Sequence, residues 1–161
     1  TLTMARRAGL VPVGHALTGT RAAPRGMTAE ALVALLRDAK TIAVVGLSPR
    51  PTRASHTVAR YLQRVGYRIV PVNPGHATLL GERSYPTITA AAAEHAIDVV
   101  DVFRRSEVVG PVVDEAIRVR PRLIWLQVGV VDRTAPERAW TAGIPLVMDR
   151  CLMVDHQALG V

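Results

Sequence analysis

Runs of β-branched residues that alternate with helix-patterned segments constrain this chain more than any other feature. Thr41 to Val45 is a continuous apolar, β-branched run, the composition of a central strand buried on both faces. Ser55 to Val65 then places Val58, Tyr61, Leu62 and Val65 on one helical face, and Gly66 ends that helix. Tyr67 to Val72 reads as the second strand and stops at Asn73-Pro74-Gly75. Gly75 to Pro86 carries turn residues without a long period and reads as a loop over the strand ends. A short Ala-rich helix at Thr89 to His95 leads to a third strand at Ile97 to Phe103. Ser106 is positioned to cap a helix running through Val119, with Glu107 in its first turn. Leu123 to Leu126 is the fourth strand, Ala135 to Ala142 a helix closed by Gly143, and Ile144 to Met148 the fifth strand. Ahead of them all, Thr28 caps a helical pattern over 28 to 39, with Ala31, Leu32, Leu35 and Leu36 on its apolar side. Such alternation predicts a doubly wound, Rossmann-type α/β fold: a five-stranded parallel sheet in the order 3-2-1-4-5 with helices on both faces.

Composition agrees with that architecture. A chain of 161 residues supports one core, and with 49% hydrophobic but only 4% aromatic residues that core must be built from Val, Ile, Leu and Ala. The net charge of +7 raises nucleic acid as a partner. Its distribution argues against one, because Arg6, Arg7, Arg21 and Arg25 stand in residues 1 to 26 without any acid and the remainder is nearly balanced. No stacking or recognition element accompanies those arginines. Residues 1 to 26 read as a disordered basic tail, and residues 27 to 161 as the folded domain. A single cysteine, Cys151, excludes an internal disulfide and suits a reducing, cytoplasmic setting. No apolar run is long enough to span a bilayer, and Gly9 to Leu17 is too short and too interrupted for a signal peptide.

In an open α/β sheet the ligand crevice lies outside the carboxyl ends of the strands, where the strand order reverses. The segment that follows the first strand there is Gly46-Leu47-Ser48-Pro49-Arg50-Pro51-Thr52-Arg53-Ala54-Ser55-His56. Gly46 permits a tight turn, the helix starting near Ser55 directs free N–H groups and a positive dipole end at the crevice, and Arg50 and Arg53 add charge. A phosphate fits such a loop, although a βα connection with merely solvated arginines has the same spacing. The dinucleotide pattern G-x-G-x-x-G is absent, and the second strand ends in Asn73-Pro74 where an NAD site calls for Asp or Glu. No phosphate-binding G-x-x-x-x-G-K-[ST] occurs. Five scattered histidines show no metal spacing, so no metal is expected.

Several segments together carry a family resemblance: Thr41 to Ser48, Arg53 to Val58, Tyr61-Leu62 with Gly66-Tyr67, Val70 to Pro74, Val100 to Arg104, Trp125 to Gln127 with Gly129, and Met148 to Cys151. They closely resemble the stand-alone coenzyme A (CoA) binding proteins related to the first domain of the succinyl-CoA synthetase alpha subunit, over about residues 28 to 158. The resemblance implies CoA or an acyl-CoA as ligand. It implies that Gly46, Leu47, Ser48 and Arg53, with Ser55 and His56 behind them, line the phosphate-facing loop, and that Val72, Asn73 and Pro74 sit at the adenine-ribose end. Phe103 and Arg104 would flank the nucleotide, Gln127, Val128 and Gly129 would lead toward the pantetheine arm, and Arg150 and Cys151 would close the fifth strand. The family usually follows its cysteine with proline, whereas this chain has Leu152. Nothing within the 161 residues corresponds to the synthetase's second domain, so ligase activity is not implied.

Two roles fit that resemblance. One is a non-catalytic binding or sensing module. The other is an enzyme acting on a CoA thioester, or a subunit supplying CoA to a separate protein partner or a second copy. Ser48 has no evident base partner, and Asp98, Asp101 and Asp149 read as strand-end hydrogen-bond acceptors rather than as acid and base. Cys151 reads as a packed small residue, with a thiol placed to meet the CoA thiol as the alternative.

Overall fold

The computed structural model describes residues 27–161; the segment expected to form a disordered tail lies outside the described residues. Thr28 caps α1 (Ala29–Asp38), its hydroxyl oxygen accepting from the Ala31 N–H at 3.1 Å. β1 (Thr41–Val45) follows and is buried at every position. Then come α2 (Ala54–Arg64), β2 (Arg68–Val72), a small hairpin of β3 (Thr78–Leu79) and β4 (Glu82–Arg83), and α3 (Ile88–Glu94). The chain continues through β5 (Val99–Val102), a single 3-10 turn at Ser106–Val108, α4 (Val109–Val119) and β6 (Leu123–Leu126). It ends with α5 (Ala135–Thr141), the two-residue β7 (Leu146–Val147) and α6 (Leu152–Leu159).

The main sheet is parallel and five-stranded, in the order β2-β1-β5-β6-β7. Outside β2, Tyr85 forms a parallel bridge to Val72, its N–H donating to the Pro71 carbonyl while the Asn73 N–H donates back. Counted with that bridge, the order reads 3-2-1-4-5-6, which contains the expected 3-2-1-4-5 pattern, with the segment around Tyr85 in third place. The run at 97–103, expected there, lies instead on the other side of β1. The physical reason is local: the stretch read as a plain loop contains the β3–β4 hairpin, which returns the chain to the outer edge of β2.

Side chains alternate between two cores, as a parallel sheet covered on both faces requires. One core joins Ala43, Val45, Val100, Val102 and Leu126 to buried residues of α3, α4 and α5. The other joins Ile42, Val44, Trp125 and Val147 to buried residues of α1, α2 and α6. Between β1 and β5 the chain order reverses, and the crevice expected of such a sheet opens at their carboxyl ends.

Two local expectations are corrected. Ser106 does not cap α4; its hydroxyl donates to the Gly129 carbonyl at 3.0 Å and accepts from the Val131 N–H at 2.9 Å. With that hydroxyl tying two loops together, the helix entry tightens into a 3-10 turn and α4 begins at Val109. The second correction is α6, a helix not anticipated after Cys151. Its first residue, Leu152, is fully buried and stands where proline is well tolerated in a helix. Leucine here gives a core side chain in place of the proline ring and leaves the helix start intact.

Candidate functional site

The loop after β1 is held by hydrogen bonds from several residues singled out in the sequence. Gly46 has φ of +82°, and a side chain there would meet the Phe103 carbonyl oxygen at 2.2 Å, so both conformation and close approach demand glycine. Leu47 is fully buried, and its carbonyl accepts from Asn73 Nδ2 at 2.9 Å. The Ser48 N–H donates to Ser55 Oγ at 3.0 Å, and His56 Nδ1 donates to the Ser48 carbonyl at 3.0 Å. Ser48 Oγ accepts from the Arg50 N–H at 3.1 Å. Leu47, Ser55, His56 and Asn73 therefore shape the loop, while Gly46, Ser48 and the arginines line it.

An open cleft of about 640 Å³ lies against this loop. Its walls include Gly46, Ser48, Arg50, Arg53 and Ser55 from the β1–α2 connection, Asn73 and His76 beyond β2, and Phe103 and Arg104 beyond β5. Arg53 is the N-cap of α2 and supplies no side-chain cap; the His56 N–H donates to the Arg53 carbonyl, and Ala54 and Ser55, ahead of it at the start of this 11-residue helix, line the cleft. Arg104 lies across Gly46, its Cδ 3.6 Å from where a Gly46 side chain would begin. Among the described residues, no acidic side chain lines the cleft. Val72 is buried at the end of β2, and Pro74 is exposed just beyond it.

The other predicted residues lie further along the same carboxyl edge and do not line this cleft. Gln127 is buried and directly follows β6, whereas Val128 is 66% exposed. The Gly129 N–H donates to Asp149 Oδ1 at 2.8 Å, which explains why Asp149 tolerates a left-handed φ of 59°. Arg150 is closed on Asp155, with Nε to Oδ2 at 2.6 Å and Nη2 to Oδ1 at 2.8 Å. Cys151 is half-buried and is the N-cap residue of α6.

Sequence reading missed two contributors. His76 reaches the cleft from the turn that Asn73-Pro74-Gly75 announces, and its position immediately after that turn was the available signal. The other is Asp101. Expected as a strand-end acceptor, like Asp98, which does accept from the Lys40 and Thr41 N–H groups at 2.9 and 3.0 Å, it is instead fully buried within β5. Gln127 Nε2 donates to Asp101 Oδ1 at 2.6 Å, and Asp101 Oδ2 has no partner among the described residues. Burial pushes the Asp101 carboxyl up to about 7, against the downward pull of the Gln127 hydrogen bond.

A Rossmann-type sheet with a cationic cleft at its switch point defines a nucleotide-binding α/β protein in broad class. The profile of the CoA binding domain family matches residues 40–157, and the chain belongs to that family. It is 38% identical over 122 residues to the uncharacterized protein YneT of Bacillus subtilis (strain 168), covering 76% of this chain and 89% of YneT. A solved structure from Thermus thermophilus is 39% identical with a TM-score of 0.75, over 83% of this chain and 99% of that one. The fold also matches part of a dinucleotide-forming acetyl-coenzyme A synthetase from Ca. Korarchaeum cryptofilum, with a TM-score of 0.60 at 21% identity, covering 68% of this chain and 26% of the synthetase.

Proposed function

We propose that this protein binds coenzyme A, free or acylated, across the carboxyl edge of its sheet and works as a binding or sensing module without a catalytic step of its own. The observation that carries the reading is the cleft at the switch point. There Arg50, Arg53 and Arg104 line a cleft beside a helix N-terminus without a side-chain cap, and no carboxylate of the described residues lines it. Clustered guanidinium groups and free N–H groups are the donors a phosphate-rich ligand uses. A second ribose would find no acidic partner, because the Asn73 amide is already engaged by the Leu47 carbonyl and the Gly75 N–H. That disfavours NAD.

In this reading the phosphates lie on Gly46, Ser48, Arg53 and Arg104, with Leu47, Ser55 and His56 keeping the loop in shape. The adenine-ribose end sits toward Val72, Asn73 and Pro74, and Phe103 flanks the nucleotide. The pantetheine arm crosses the strand ends past Gln127, Val128 and Gly129 toward Arg150 and Cys151, three strand spacings or about 14 Å from β1. Ser48 acts as a loop residue, its oxygen already accepting from Arg50.

Native mass spectrometry tests the assignment. Offered equimolar CoA and NAD, the protein should retain one CoA per chain. Retention of NAD with no CoA would overturn it.

A further inference from the structure

Asp101 Oδ2 is the one buried side-chain oxygen or nitrogen among the described residues without a hydrogen-bond partner. Asp101 stands on β5, at the switch point, with Val44 of β1 and Trp125 of β6 as its lateral neighbours. Both neighbours belong to the core under α1, α2 and α6, so the carboxyl is set into an apolar layer. The titratable groups that cover this face have other partners. Arg150 is closed on Asp155, His156 pairs with the Tyr61 hydroxyl, Tyr67 donates to the Leu36 carbonyl, and His56 donates to the Ser48 carbonyl. Burial raises the Asp101 pKa and the Gln127 hydrogen bond lowers it.

Gln127 connects this buried acid to the ligand edge. The register of β5 and β6 pairs Val102 with Leu126, which puts Gln127 beside Phe103, a wall of the cleft. A primary amide has a donor end and an acceptor end of nearly the same shape. Gln127 follows β6 at the carboxyl edge, where the pantetheine arm is proposed to pass, so whichever end the amide turns to Asp101, the pair would offer that edge the opposite chemistry.

We propose that the Asp101–Gln127 pair sets the hydrogen-bonding polarity offered to the ligand, with the protonation of Asp101 as the selector. An ionised carboxylate only accepts, so Gln127 must present Nε2 to it, as observed, and turn Oε1 toward the crevice. When Asp101 takes a proton from water, its new O–H is a buried donor that costs free energy unless it finds an acceptor. Gln127 Oε1 is the acceptor within reach, so the amide turns over and offers N–H to the crevice. Burial brings this protonation to about pH 7, where both forms coexist. Asp101 is thus a positioning residue that acts through Gln127. For its ligand the proposal rests on the CoA reading; the switch itself does not.

Nuclear magnetic resonance on the ligand-free protein tests the switch. The Asp101 carboxyl carbon and the Gln127 side-chain amide should titrate together with a midpoint near neutral pH. A Gln127 amide that ignores the Asp101 titration overturns the proposal, and this measurement needs no variant that folds. Titration with CoA tests the consequence. Between about pH 5.5 and about pH 8.5 the affinity of the unmodified protein should change by about tenfold more than that of Asp101→Asn or Gln127→Ala, the cost of presenting the wrong end of one hydrogen bond. The slope shared by all three belongs to the ligand phosphate. Identical pH slopes in the three proteins overturn the role in binding. Failure of all three to bind CoA, with the amide still following Asp101, counts against the CoA reading and not against the switch.

Discussion

The two flanks of the carboxyl edge handle their arginines differently. Beside β1, Arg50, Arg53 and Arg104 line a cleft to which the described residues contribute no acidic wall. Beside β6 and β7, Arg150 makes a two-point contact with Asp155, and Arg138 is bridged to Asp114 at 3.0 Å and to Asp132 at 3.2 Å. Residue type alone does not separate these groups. The difference is in what else the loops bring: the connections after β6 and β7 supply their own carboxylates, and the connection after β1 supplies only backbone donors and cations. One flank is closed by ion pairs, and the other leaves its arginines in an open cleft, where the proposed ligand would bind.

Breaking the closed flank should have the largest effect. Asp155 is 5% exposed, so Asp155→Ala leaves the Arg150 guanidinium in a mostly buried setting without its carboxylate. A loss of about 3–5 kcal/mol in denaturant unfolding is expected, the usual cost of removing one partner of a buried pair. An effect below about 1 kcal/mol would place Arg150 with the surface charges.

Asp101, between the flanks, should act in the opposite direction. Its folded-state pKa is raised, so the folded chain holds a proton that the unfolded chain has released. Stability therefore falls as pH rises from the unfolded value near 4 toward about 7, by up to about 4 kcal/mol. Asp101→Asn should remove most of that slope when melting temperatures are compared at mildly acidic and mildly alkaline pH. An unchanged slope would mean that another group carries it.

Opening the charged flank should cost binding and spare the fold. Arg53→Ala or Arg104→Ala should each weaken CoA binding by about 1–3 kcal/mol, with the unfolding midpoint unchanged. If Arg150→Ala weakens CoA as much per unit of stability lost, the two flanks do not divide the work as described.

Much of this division was legible in the sequence. The apolar β-branched runs revealed the strands, because a strand buried on both faces has no other composition available. Gly46 and the Asn73-Pro74 stop located the edge where the cleft opens. Partnerships between distant residues were hidden. Nothing near Ser106 indicates that its hydroxyl is used by Gly129 and Val131, and the carboxylate that engages Arg150 belongs to Asp155, which meets it only once α6 folds back. That helix was itself obscured because its buried face includes Asp155 and His156, which interrupt the apolar period. Tyr85 was read as loop because a single bridge leaves no strand-length pattern. Asp101 was placed at a strand edge, since a carboxylate inside a core strand contradicts the usual pattern.

Calorimetric titration with CoA and, separately, with NAD at moderate salt tests the central claim most directly. The open cationic cleft at the switch point predicts saturable one-to-one binding of CoA and much weaker or no binding of NAD. Tighter binding of NAD than of CoA would contradict it.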